Sequence, residues 1–137
     1  MISYNIYPQW YAKETVEKYL ADQYDWVQES TPGAGKPFLI TEIGAGAIYG
    51  CRSPYKAKWS EEYQAEALEK QIRTVMAHPG CSGMYIWQFC DVRVTEDWFS
   101  SRPRTMNNKG IVDEYRRRKL SYDVVKRLYE SFENYFE

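Results

Sequence analysis

Phe38-Leu39-Ile40-Thr41-Glu42-Ile43-Gly44 is a nearly continuous apolar run with one carboxylate set into it. Runs of this kind read as strands buried on both faces, and two others resemble it, Ile2–Tyr7 and Met84–Cys90. A helical pattern follows each. Val16, Leu20, Tyr24 and Val27 recur at helical spacing, so Glu14 to about Gln28 buries one stripe, and Pro32-Gly33-Ala34-Gly35 ends it. In the second pattern Ser60 is the N-cap, Glu61 and Glu62 complement the helix dipole, Leu68, Ile72, Val75 and Met76 form the apolar face, and His78-Pro79-Gly80 stops it. The third starts at Ser121 as N-cap, with Val125, Leu128, Tyr129 and Phe132 on one side. The resulting order, β-α-β-α-β-α, implies an α/β fold with parallel strands and right-handed crossovers, either an open sheet or part of a barrel. The stretches Ala45–Trp59 and Asp91–Leu120 are long and lie at the carboxyl ends of strands, where such folds keep their sites.

The 137 residues fit one domain, taken as 1–137. Lys+Arg 18 against Asp+Glu 19 leaves no overall positive field to gather nucleic acid or an anionic membrane. The mean hydropathy is −0.67 and no apolar run approaches the length of a membrane span; Met1 opens no signal peptide. Cys51, Cys81 and Cys90 show no CxxC spacing, and His78 is the only histidine, so no metal site and no cofactor are expected. The cysteines read as reduced, mostly buried thiols, consistent with a cytoplasmic protein. The 13 Tyr and 5 Trp are many for this length, and flat rings with polar tips suit interfaces and sugar clefts.

Glu42 is the informative residue. A carboxylate inside an apolar run is costly to bury unless it is functional or tied to a neighbouring cation. At the carboxyl end of a parallel strand it faces the cleft formed by the strand-to-helix loops. Asn5, Tyr7, Trp87 and Asp91 hold comparable positions on the other two strands. Other signals fail. Gly33-Ala34-Gly35-Lys36 lacks the earlier glycine of a phosphate loop and carries Pro37 where a hydroxyl should sit. Gly44-Ala45-Gly46 is a tight strand exit, and Arg116-Arg117-Arg118-Lys119 is a solvated turn before a helix.

The segments Asn5-Ile6-Tyr7-Pro8-Gln9-Trp10-Tyr11, Thr41-Glu42-Ile43-Gly44-Ala45, Trp59-Ser60-Glu61-Glu62-Tyr63-Gln64, Tyr85-Ile86-Trp87-Gln88-Phe89-Cys90-Asp91 and Asn107-Asn108-Lys109-Gly110 resemble, in order, successive motifs of family 2 glycoside hydrolases. The β-glucuronidases are the most similar member type, with β-galactosidases the alternative. The resemblance implies that the three βα units are the sixth, seventh and eighth of a (β/α)8 TIM barrel. It implies that Glu42 is the nucleophile of a retaining mechanism with Tyr7 supporting it by a hydrogen bond, and that Asn5 and Trp87 contribute to the sugar site. It further implies that Asn107 and Lys109 hold the carboxylate of a β-glucuronide or related β-glycoside; an ammonium with an amide donor suits a uronic acid.

The chain departs from the family pattern in three places. Ile43 replaces the usual Tyr and Cys90 a small Ala. The general acid/base is a Glu directly after an Asn on an earlier strand, and no Asn-Glu dipeptide occurs here. A retaining glycosidase needs two carboxyl groups about 5–5.5 Å apart, so the chain by itself is expected to be inactive, with Asp91, Glu96 and Asp97 the available substitutes. It is expected to be the C-terminal part of the barrel, whose hydrophobic inner face and two strand edges drive self-association or pairing with a preceding N-terminal part. The alternative is a non-catalytic half-barrel that only associates or binds sugar.

Overall fold

The structure, a computed structural model, describes residues 1–133. Residues 134–137 of the expected domain lie outside the described residues. The elements are β1 (Ile2–Asn5), α1 (Val16–Ser30), β2 (Phe38–Ile43), α2 (Glu61–Ala77), β3 (Cys81–Ile86), a short hairpin of β4 (Val92–Arg93) and β5 (Met106–Asn107), and α3 (Leu120–Glu133). The expected alternation is present. The three long strands form one parallel sheet in the order β1-β2-β3, with Ile2 opposite Phe38, Phe38 opposite Cys81, and Asn5 opposite Glu42.

Local chemistry sets the helix limits. Thr15, not Glu14, opens α1, its hydroxyl accepting the Lys18 amide, and Ser60 caps α2 by accepting the Tyr63 amide. Ser121 is not a cap. It lies in the first turn of α3, fully buried, and its hydroxyl donates to Gln64 Oε1 at 2.8 Å. The core forms where the helical stripes meet one face of the sheet: Leu20 and Val27, Leu68, Ile72 and Val75, and Val125 and Leu128 close over Phe38, Ile40 and Ile43. Each such side chain contributes about 1.5–3 kcal/mol on full burial. Met76 and Tyr129, expected on these stripes, are exposed.

The strands are not buried on both faces. The helices cover only one, and the other carries Asn5 and Thr41, joined by a hydrogen bond from Thr41 Oγ1 to Asn5 Oδ1 at 2.8 Å, and Leu39 against Gly83. Polar groups and the half-buried Leu39 share this second face, and Tyr85 of β3 is left exposed. The third strand is shifted. It covers Cys81–Ile86 instead of Met84–Cys90, because beyond Trp87 the chain leaves β2 and pairs with the turn that follows β5: the Gln88 amide donates to Lys109 O and the Val112 amide to Phe89 O. The three cysteines are free and half-buried. No helix among the described residues is long and apolar enough to cross a membrane.

Candidate functional site

Glu42 lies near the carboxyl end of β2, half-buried, and its Oε2 accepts a hydrogen bond from the Tyr7 hydroxyl at 2.5 Å. Oε1 makes no hydrogen bond among the described residues. Burial, then the hydrogen bond and the negative charge of Glu42, hold the Tyr7 phenol far above its ordinary pKa, so it stays protonated and donates to Glu42. Gly44 makes the strand exit possible, since a Cβ there would sit 2.3 Å from the Trp87 carbonyl oxygen. The Trp87 amide in turn donates to Ile43 O at 2.8 Å, which brings the half-exposed Trp87 ring to the same rim.

After β1 the backbone folds into a tight turn. The amides of Trp10, Tyr11 and Ala12 all approach Tyr7 O, and Gln9 takes a left-handed φ of 65°. This turn stacks Tyr11 edge-on to Tyr7 at 5.3 Å and places Trp10 underneath, packed on Trp59 at 4.8 Å. Trp10 is buried, so of the aromatic residues on this side Tyr7, Tyr11 and Trp87 form the accessible rim and Trp10 its floor.

Lys109 enters this aromatic enclosure. Only 4% exposed, its Nζ lies 5.4, 5.6 and 4.9 Å from the ring centres of Tyr7, Trp10 and Tyr11 and donates to the Tyr11 hydroxyl at 2.8 Å. Burial pulls its pKa below the ordinary lysine range, against the opposing effects of Tyr11 and of Glu42. No carboxylate among the described residues pairs with it. Cation–π contacts replace part of the lost hydration, yet a buried ammonium without an anion leaves a strong attraction unused. Arg102 Nη2 also donates to the Tyr11 hydroxyl, at 3.1 Å. Burial would push that phenol up, but the two cationic donors bring its pKa below the ordinary tyrosine value. Two cations thus converge on one oxygen, an arrangement that a carboxylate would satisfy. Asn107 turns its Oδ1 toward the Lys109 amide at 3.3 Å, leaving its NH2 group available.

The expected residues Asn5, Tyr7, Glu42, Trp87, Asn107 and Lys109 are therefore brought to one end of the sheet. Tyr11 and Arg102 join them; Tyr11 stood inside a quoted motif, whereas Arg102 comes from a loop without pattern. Asp91 is removed from the list of possible acids. It is 2% exposed and paired with Lys119 at 2.8 Å, and burial pushes its pKa up to about 6 despite that partner. Lys119 corrects the solvated-turn reading, since Arg116 to Arg118 are exposed but Lys119 is fully enclosed. Among the described residues no three His, Cys, Asp or Glu side chains group as metal ligands.

No family model matches the chain. A GH2 β-galacturonidase from Eisenbergiella tayi, solved with galacturonate bound, superposes with a TM-score of 0.92 and 67% identity over 94% of this chain and 23% of that one. The chain belongs to glycoside hydrolase family 2. A Lactobacillus rhamnosus β-glucuronidase structure matches this family 2 chain with a TM-score of 0.76 and 29% identity over 92% of it and 22% of that protein. The β-glucuronidase of Streptococcus agalactiae is 29% identical over 90 residues, 61% of this family 2 chain and 15% of that enzyme. The chain thus spans between 15% and 23% of the length of these relatives.

Proposed function

We propose that this chain carries the nucleophile and the carboxylate-binding half of a retaining β-uronide hydrolase. Its βα units would be the sixth, seventh and eighth of a (β/α)8 barrel that works in a reducing, cytoplasmic setting. The single observation that carries the reading is the buried Lys109 ammonium, which pairs with no carboxylate among the described residues and lies 5.4 Å from the ring centre of Tyr7, the residue whose hydroxyl donates to Glu42. A β-uronide in this space would direct its anomeric carbon at Glu42 Oε1 and its carboxylate at Lys109, Arg102 and Asn107. Glu42 would attack, the C1–oxygen bond would break, and a glycosyl ester would form, later hydrolysed by water. Tyr7 would hold Oε2 so that Oε1 stays aimed.

The acid that protonates the leaving oxygen would come from outside these residues, because Asp91 is committed to Lys119 and no Asn-Glu pair is present. The 67% identity to a β-galacturonidase favours β-galacturonides as substrates, and the β-glucuronidase relatives make β-glucuronides the second candidates. A uronosyl fluoride fluorinated at C2 tests the reading, since fluoride leaves without protonation and the slowed second step traps the ester. The chain would be co-expressed with the part of the Eisenbergiella tayi enzyme outside the matched region, treated with the galacturono- and glucurono-reagents, digested and mapped by mass spectrometry. The expected adduct is on Glu42, is absent in Glu42→Gln, and forms faster with the galacturono-reagent. An adduct on another residue, or none with either reagent, would overturn the proposal.

A further inference from the structure

One buried ion pair lies beneath the candidate site and takes no part in the chemistry above. The Lys119 side chain, wholly enclosed at the start of α3, directs its three protons at three acceptors: Ala47 O at 2.7 Å, Asp91 Oδ1 at 2.8 Å and Asn108 O at 3.2 Å. Each acceptor belongs to a different loop. Ala47 is on the exit from β2, the strand that carries Glu42; Asp91 follows β3; Asn108 immediately precedes Lys109. Asp91 Oδ1 also accepts the amide of Gly110, the residue immediately after Lys109, at 2.9 Å. Lys109 is therefore held on both sides, through the preceding carbonyl by Lys119 and through the following amide by Asp91. The Ala47 amide adds a further link to Asn108 O at 2.9 Å. Gly110 is required in this clamp, since a Cβ would come within 2.3 Å of the Asp91 nitrogen.

A buried ion pair is seldom a net gain over well-packed apolar side chains of the same volume, because both charges must be desolvated. Stability alone does not call for it; a directional junction between three loops, in which the ammonium uses all three of its protons, does more than fill space. We infer that Lys119 and Asp91 are positioning residues that fix the separation between the Glu42 carboxylate and the Lys109 ammonium, and so match the site to the span from C1 to the C6 carboxylate of a uronide. This inference rests on the uronide reading of the site.

The test uses the same co-expressed complex and the same galacturono-reagent, and separates the inactivation constant KI from the maximal rate kinact. The variants are Lys119→Met and the double variant Asp91→Leu with Lys119→Met; the double variant removes both charges, so no unpaired charge stays buried, whereas the single one leaves Asp91 unpaired. Misplacement of Lys109 by a fraction of an ångström raises KI about tenfold or more and leaves kinact within about threefold, as expected for lost carboxylate binding with the attacking group intact. A purely structural role would lower the fraction of protein that can be labelled and leave KI where it was, and that result, in whichever variant folds, would overturn the inference. Failure of the unsubstituted complex to label at Glu42 would instead remove the uronide reading and this inference with it.

Discussion

At the scale of single residues, the Tyr7–Glu42 hydrogen bond at 2.5 Å defines which carboxylate oxygen is held and which is available. Tyr7→Phe removes the hydroxyl but keeps the ring that packs on Tyr11. The expected result is a loss of about 10- to 100-fold in the rate of glycosyl-ester formation with little change in sugar binding, the pattern of a lost orienting group. An unchanged rate would show that Glu42 needs no such support. Lys109 has a different signature. Loss of a charge-assisted hydrogen bond costs about 1.5–3 kcal/mol, so Lys109→Ala should weaken uronide binding by roughly 10- to 150-fold and leave a neutral β-galactoside nearly unaffected. Because burial lowers its pKa, the binding-competent ammonium is lost on raising the pH through a value below the ordinary lysine range. KI for the uronide reagent should therefore climb at a lower pH than an ordinary exposed lysine would give, and Lys109→Arg, which stays charged, should flatten that climb. Glu42, Tyr7, Asn107 and Lys109 were legible as candidates through the order of short motifs. Lys119 was hidden in a basic run, since its burial depends on three acceptors that only the folded loops bring together.

At the scale of elements, α2 does more than bury an apolar stripe. Leu68, Ile72 and Val75 were legible from their spacing, but Glu61, Gln64 and Gln71 are buried too, and they secure the loops of the site. Glu61 accepts the amides of Gly50 and Leu120 at 2.7 and 2.8 Å; Gln64 Nε2 donates to Ala45 O and Gly110 O at 2.9 and 3.0 Å; Gln71 Nε2 donates to Pro8 O at 3.1 Å. No pattern of apolar residues announces this, because polar side chains on an inward face read locally like solvent-facing ones. Gln64→Leu preserves volume but leaves two carbonyl oxygens and the Ser121 hydroxyl unsatisfied. It should destabilise the chain by about 2–4 kcal/mol in urea unfolding, whereas Met76→Ser on the exposed side of the same helix should stay within about 0.5 kcal/mol. Equal effects of the two changes would show that α2 contributes only its apolar stripe. The displacement of β3 has a comparable cause: Met84–Cys90 is the more apolar run, but the partners available across β2 select Cys81–Ile86 and leave the rest of the run to pair with the turn after β5.

At the scale of the whole molecule, three parallel strands covered on one side leave β1 and β3 as edges. The parallel arrangement followed from the alternation of strands and helices, while the nature of the second face did not. Single apolar runs cannot reveal that helices shield only one side, or that Asn5 and Thr41 satisfy one another on the other. The unpaired backbone of the edges is an incentive for association beside the apolar side chains left exposed, such as Tyr85 on β3. The amides of Ile2 and Ile6 point inward, to Pro37 O and Glu42 O at 2.8 Å each, so alternation along a parallel strand turns those of Ser3 and Asn5 outward. In the chain alone these two amides should exchange with deuterium quickly while that of Ile6 is protected. Co-expression with the part of the Eisenbergiella tayi enzyme outside the matched region should give a stable complex on size exclusion, and the Ser3 and Asn5 amides should then slow by about 100-fold or more, the protection that ladder hydrogen bonds confer. Self-pairing of the chain would slow the same amides only as its concentration rises, which separates the two partners. A stable monomer whose Ser3 and Asn5 amides stay fast in the presence of the complementary part would refute edge pairing at β1, and with it the placement of Glu42 inside a closed barrel.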